Sequence, residues 1–304
     1  MRGDNKKDKL KEEEAFLEAK TTLMESSDHY SSELYPPEWN LDEPLSPEEF
    51  EPVTQYDEEE YRITEPISEE ASQQGAIVPS TGGSFIPVAP KRISSPSHEL
   101  IMLLYPDSIA ADQFRYIKFQ LNKCEDIQVI GVTSPQRGEG KSVVAANIAL
   151  ALSESGRERV LLIDCCVRSP RLSSMFGIEE TFGLITELKN KHLDPNYVPR
   201  IIGIAEAFYF LPAGPSVSNP TAILGSDVML QFIYELRSAF RYIVLDISPV
   251  LVNSDANALF DCVDTYILTA MIKKTKQDEL EQALARLTTK KFFGVVVVGA
   301  YPEQ

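Results

Sequence analysis

Across the C-terminal two thirds of the chain, short apolar runs alternate with longer segments whose apolar residues recur at helical spacing. The runs Ile127–Val132, Val160–Asp164, Phe208–Leu211, Tyr242–Leu245, Thr265–Ala270 and Phe293–Val298 carry almost no polar alternation, which predicts strands buried on both faces. Between them the pattern predicts helices over Ser142–Ser155, Gly183–Lys189, Ser226–Phe240, Ala256–Phe260 and Lys276–Leu287. An earlier helix is predicted over Ser108–Leu121. Ser108 serves as its cap, and Ile109, Phe114, Ile117 and Leu121 form its apolar stripe. Asp112, Arg115 and Lys118 fall three apart on that helix and share a face. Strands and helices in this alternation predict an α/β fold, a mostly parallel sheet with helices on both faces. In such a sheet ligands bind at the carboxyl ends of the strands. No internal repeat is present.

Residues 1–90 have the opposite character. They hold 22 of the 46 acidic side chains, 7 of the 29 basic ones and 9 of the 20 prolines, with few apolar runs. Such a segment cannot bury enough surface to offset its chain entropy, so residues 1–90 are expected to be a disordered acidic tail ending in a Gly/Ser/Pro linker over Gly75–Pro90. The folded domain is expected over 91–304, with order beginning near Ser97–Leu104. Asp8–Met24 carries Leu10, Phe16, Leu17, Leu23 and Met24 at near-heptad spacing. That pattern fits a short helix that docks on a partner, but it is weak and better fits a solvated helix or none. The net charge of −17 sits almost wholly in the tail, which argues against a nucleic-acid partner. No apolar run reaches the roughly 18–20 residues of a membrane span, and the charged N-terminus lacks a signal-peptide core. The expected location is the cytoplasm, and four cysteines in 304 residues agree with a reducing compartment.

The chemistry concentrates in V-T-S-P-Q-R-G-E-G-K-S-V-V, Val132–Val144, between a predicted strand and a predicted helix. Gly138 and Gly140 let the backbone curl so that successive N–H groups point at one spot. The helix N-terminus adds partial positive charge there, Lys141 a full one, and the Ser142 hydroxyl suits Mg²⁺. This is a Walker A phosphate loop with Pro135 in place of its first glycine. Two acids, Asp164 and Asp246, end buried strands on either side of it in sequence, where a carboxylate is costly unless a cation compensates.

These motifs resemble the bacterial tyrosine kinases (BY-kinases) of capsule and exopolysaccharide export, members of the deviant-Walker P-loop class that includes the MinD and ParA ATPases. The residues that carry the resemblance are T-S-P-x-x-G-E-G-K-S at Thr133–Ser142, A-A-N-I-A at Ala145–Ala149, L-L-I-D-x-x-x-R-x-P-R-L at Leu161–Leu172 and F-G at Phe176–Gly177. L-P-A-G-P at Leu211–Pro215, N-P-T-A-I-L at Asn219–Leu224 and L-D-I-S-P-V-L at Leu245–Leu251 continue it. The resemblance implies ATP and Mg²⁺ as ligands. Gly138, Glu139, Gly140, Lys141, Ser142 and Val143 would form the nucleotide loop, and Ser142, Asp164 and Asp246 would hold the metal. Lys141, Asp164, Asp246 and Arg168 would be the catalytic set. It further implies a transmembrane polysaccharide co-polymerase, or chain-length regulator, as a separate partner that recruits the chain to the inner face of the membrane. Asp112, Arg115 and Lys118 would stand at the family's E-x-x-R-x-x-R ring-forming face.

Four positions depart from the family. Cys166 replaces the second acid of the D-x-D motif, and a thiol is a poor base near neutral pH. The C-terminal tyrosine cluster is missing, with only Tyr301 near the end. Val298, Gly299 and Ala300 stand where an asparagine reads the base. Gln136 replaces the signature lysine of MinD and ParA. Adjacent Cys165 and Cys166 have no metal-site spacing and are expected to be buried structural thiols, and His192 is expected at the surface. Tyr30, Tyr35, Tyr56 and Tyr61 lie beside acids, but nothing in the tail pattern singles them out as acceptors. Three functions follow: a tyrosine autokinase or ATPase of polysaccharide export, a catalytically impaired adaptor of the same system, and a positioning ATPase of the MinD/ParA kind. The last lacks the basic patch or amphipathic helix it would need.

Overall fold

The computed structural model describes residues 85–90, 95–179, 181–287 and 292–299. The expectations for Asp8–Met24, for the tail tyrosines and for Tyr301 lie outside the described residues. Among the described residues the strands are β1 (Ile86–Val88), β2 (Val129–Thr133), β3 (Val160–Asp164), β4 (Arg200–Gly203), β5 (Phe208–Leu211), β6 (Tyr242–Asp246), β7 (Thr265–Met271) and β8 (Phe292–Val298). They form one sheet in the order β1-β4-β5-β3-β6-β2-β7-β8. Every pairing is parallel except β4 with β5, so β1 and β4 run against the other six.

The continuous apolar strands serve two cores at once. Along β3, Val160 and Leu162 pack on one face while Leu161 and Ile163 pack on the other; Tyr242, Val244, Ile243 and Leu245 of β6 divide the same way. One face is covered by the helix Lys141–Ser153, with the helix Ile109–Asn122 packed against it. Ten of the thirteen residues of Lys141–Ser153 are buried, as expected of a helix that is apolar nearly all round. The opposite face is covered by Leu184–Leu193, Asp227–Leu236 and Gln277–Leu287.

Differences from the predicted elements have local causes. Strands β1 and β4 were not predicted, being three and four residues long at the sheet's edge. Pro87 is tolerated in β1 because an edge strand has one side free of ladder bonds. The segment expected as linker therefore contains a strand, and the Ile86 amide donates to the Pro199 carbonyl at 2.8 Å. The helices Leu172–Phe176 and Pro220–Leu224 are also additions. The first ends on Gly177 in left-handed conformation, and the second starts with Pro220 behind an Asn219 cap. Ser108 caps its helix as predicted, its hydroxyl accepting from Ala111 N at 3.2 Å. Ile109, however, is exposed rather than part of the stripe. Five residues before Phe114, it stands about 140° round the helix from it. No helix among the described residues is long and apolar enough to cross a membrane.

One carboxylate ties three elements together at the end of the sheet opposite the phosphate loop. Asp264 accepts from the amides of Gln128 (3.0 Å) and Val129 (2.7 Å), where β2 begins. It also pairs with Arg237, just past the helix Asp227–Leu236, at 2.7 Å. Burial opposes its charge, but Arg237 and the two amides outweigh burial and hold its carboxyl below the usual range. Asp264→Ala is expected to lower unfolding free energy by about 2–3 kcal/mol, read from urea denaturation. A depressed carboxyl stabilises the fold fully above its unfolded pKa of about 4 and loses that contribution as pH falls through its folded value. The gap between wild type and Asp264→Asn should therefore close below about pH 4.

Candidate functional site

The carboxyl end of β2 leads into the loop at 134–140 and then directly into the helix Lys141–Ser153. Gly138 and Gly140 have φ of +74° and +80°, left-handed values that favour glycine. A Cβ on Gly140 would also lie 2.8 Å from Val298 Cγ2, at the end of β8. The expected curl of the phosphate loop is therefore present, and two later parts of the chain brace it. Lys274 donates to the Gly138 carbonyl at 2.8 Å. Glu139 accepts from Gln136 N at 2.6 Å with one oxygen and from Thr275 Oγ1 at 2.6 Å with the other. Glu139 is thus fully buried and holds the loop's shape, while Val143 packs on the core below; neither side chain lines the cavity.

Inside the loop, Lys141, Ser142 and Asp246 form a closed cluster. Lys141 Nζ lies 3.0 Å from Asp246 Oδ1, and Ser142 Oγ donates to Asp246 Oδ2 at 2.6 Å. Burial works against the charge on Lys141, but Asp246 outweighs it and holds the ammonium above the ordinary lysine value. Asp164 stands directly across from Asp246 in the β3–β6 register, and both are fully buried. Burial, then the facing charge of Asp246, push the Asp164 carboxyl up to about 7. Its oxygens accept from the amides of Cys166 (3.0 Å), Arg171 (3.2 Å) and Leu172 (3.2 Å). The two acids singled out in the sequence are therefore brought together beside the P-loop lysine and serine.

Arg168 lies at the rim. Its guanidinium is held by Asp255 at 2.7 and 3.2 Å and donates to Thr221 Oγ1 at 3.3 Å, rather than reaching the acid pair. A cavity of about 110 Å³ is enclosed by the loop glycines, Lys141, Ser142, Cys166, Arg168 and Ser248, among others. Cys166 is buried, and Ser248 Oγ donates to its sulfur at 3.7 Å. Burial pushes its thiol up, which keeps it protonated at neutral pH. Cys165 is likewise buried with its thiol pushed up, and His192 is exposed, as the sequence suggested.

Asp112, Arg115 and Lys118 do share an exposed face, but within the chain that face turns to Glu154, at the end of the next helix. Arg115 pairs with Asp112 at 2.8 Å and with Glu154 at 2.7 Å, and Lys118 lies 3.6 Å from Glu154. Sequence reasoning missed Glu154, Asp255, Thr221 and Thr275. Thr221 sits in the N-P-T-A-I-L motif and was within reach of it; the other three carry no local signal.

No protein-family model matches the sequence. The tyrosine-protein kinase CpsD of Streptococcus pneumoniae is 31% identical over 174 residues, 57% of this chain and 76% of that protein. The tyrosine-protein kinase YwqD of Bacillus subtilis strain 168 is 29% identical over 213 residues, covering 68% of this chain and 89% of that protein. The crystal structure of the VpsO kinase domain superposes with a TM-score of 0.57 at 26% identity, over 65% of this chain and 100% of that domain. With the phosphate loop, the paired strand-end acids and the sheet order in place, these matches establish that the chain belongs to the bacterial tyrosine kinase (BY-kinase) family.

Proposed function

We propose that the chain binds ATP with Mg²⁺ and acts as an ATP-dependent tyrosine autokinase or ATPase in exopolysaccharide or capsule biosynthesis, together with a transmembrane chain-length regulator. The observation that carries the proposal is the Lys141–Ser142–Asp246 cluster at the first turn of a helix, behind two left-handed glycines. The Lys141 ammonium would exchange Asp246 for β- and γ-phosphate oxygens, while the loop amides and helix N-terminus hold the rest of the phosphate chain. The oxygen groups gathered there suit a hard cation: the Ser142 hydroxyl lines the cavity, and the buried carboxylates of Asp246 and Asp164 stand behind it. A cation there would also relieve the repulsion that raises Asp164. Ser142 and Asp246 would hold the metal directly. Asp164, whose oxygens already accept three amides, would hold it through water. Bound in this way, the metal would supply charge neutralisation to the transferring phosphoryl group.

The polysaccharide setting, the regulator partner and membrane recruitment follow from the sequence resemblance. Ring assembly through Asp112, Arg115 and Lys118 would require Arg115 to exchange Glu154 for a carboxylate of a neighbouring copy. Such an exchange costs little between exposed pairs.

A second reading, an adaptor that binds ATP without transferring phosphate, is favoured by Cys166. Its protonated thiol lines the cavity where the family places an acid. Two measurements separate the readings. In calorimetry, Lys141→Met should weaken magnesium-dependent ATP binding by about 10–100-fold under either reading, through loss of a charge-assisted contact. Unaltered binding in this variant would remove both. In a phosphotyrosine assay, an adaptor would show no signal as wild type. Cys166→Asp would then gain activity by a factor on the order of 100, the typical contribution of a positioned base.

A further inference from the structure

We propose that two copies of this chain associate antiparallel through the outer face of the helix Ile109–Asn122, with Asp112 of each copy against Lys123 of the other and Tyr116 against Phe119. The proposal goes beyond the nucleotide reading above and does not depend on it.

The face is left uncovered among the described residues, and it is apolar. Ile109, Tyr116 and Phe119 are 78%, 49% and 56% exposed. The opposite side of the same helix is buried through Ala111, Phe114 and Leu121, in the core that the helix Lys141–Ser153 covers. Ile109, Asp112, Tyr116, Phe119 and Lys123 follow one another at intervals of three, four, three and four residues. At about 100° per residue they fall within about 80° of arc, a straight stripe along about four turns. Lys123, just past the last helical residue, keeps helical backbone angles, so its side chain continues the stripe. Three large apolar side chains in one stripe make a patch, not the scattered single residues normal at a surface.

The order of charges and rings decides the occupant. From the start of the helix the stripe reads apolar, acid, tyrosine, phenylalanine, base. Asp112 and Lys123 stand eleven residues apart, three turns to within about 20°, and the two rings sit symmetrically between them. Turned end for end, the stripe is complementary to itself. Asp112 meets Lys123 of the partner subunit, Tyr116 meets Phe119 of the partner subunit, and a two-fold axis repeats both contacts. This is the isologous pattern of a dimer that closes on itself. A parallel arrangement would set like charge on like charge, and a lipid surface would have to receive the Asp112 carboxylate. Asp112 gives only Oδ1 to Arg115 and remains largely exposed, and the Lys123 ammonium lies 4.3 Å from the centre of the Phe119 ring. Both charges are thus held at the stripe and open to a partner. The two rings supply the aromatic anchors on which such contacts depend.

This contact differs from the ring that the sequence resemblance implies. A ring is head-to-tail, and it would draw Arg115 and Lys118 away from Glu154. The two-fold contact leaves those pairs as they are.

Sedimentation velocity on the full-length chain, without nucleotide, tests the inference. A monomer–dimer equilibrium is expected, with a Kd on the order of 10 µM for so small a surface. Tyr116→Ala with Phe119→Ala should weaken it at least about tenfold, while Arg115→Ala should leave it within about twofold. Thermal melts should show that these exposed substitutions leave the fold intact. Asp112→Lys and Lys123→Asp should each weaken self-association at least about tenfold, because the stripe then carries one sign of charge. Mixed with one another, the two charge variants should pair again, which no merely structural effect would produce. A wild type that stays monomeric up to about 200 µM overturns the inference. So does a dimer undiminished by loss of both rings, a larger assembly that Arg115→Ala dissolves, or a failure of the two charge variants to pair. ATP binding is read separately, by calorimetry, so each reading stands or falls by its own measurement.

Discussion

A buried ammonium is tolerable only where carboxylates surround it, and the architecture of this domain follows from supplying them. Lys141 starts the most deeply buried helix, and its partner Asp246 ends the strand next to β2 in the sheet, with Asp164 one strand further. The three charges are far apart in sequence and meet only because β3, β6 and β2 lie side by side with their carboxyl ends aligned. An ion pair this deep offers little net stability over an apolar core of the same shape. What it provides is one cation held against two anions at the foot of the phosphate loop.

The same arrangement explains which parts of the protein its sequence disclosed. The central strands were legible because burial on both faces removes polar alternation, and β3 and β5 have the predicted limits. The phosphate loop and its two acids were legible because glycine, lysine and a strand-ending aspartate are chemically unusual in those places. The partners that hold the site's shape were not. Glu154, Asp255 and Thr275 meet Arg115, Arg168 and Glu139 across 39, 87 and 136 residues, and no local pattern marks them. Strands β1 and β4, the edge strand and its neighbour, escaped for a related reason: they are too short to show a period, and only their neighbours make them strands.

Glu139 shows how a motif residue can be right in place and different in role. It belongs to the loop, yet its carboxylate faces away from the cavity and closes a hydrogen-bonded bracket between Gln136 and Thr275. Cys166 is the reverse case, occupying the cavity wall with a group unsuited to accept a proton. The loop's shape and the cavity wall are thus set by different residues, which is why nucleotide binding and phosphotransfer are separable questions in this chain.

The bracing of the loop by Lys274, Thr275 and Val298 has a consequence for biosynthesis. The loop leaves the ribosome 136 residues ahead of the lysine that holds the Gly138 carbonyl, and β8 follows later still. A nascent chain carries every residue of the phosphate cradle long before it carries the clamps. The braced phosphate loop is therefore among the last features to mature during translation, and a ribosome stalled before residue 270 would display the motif without its shape.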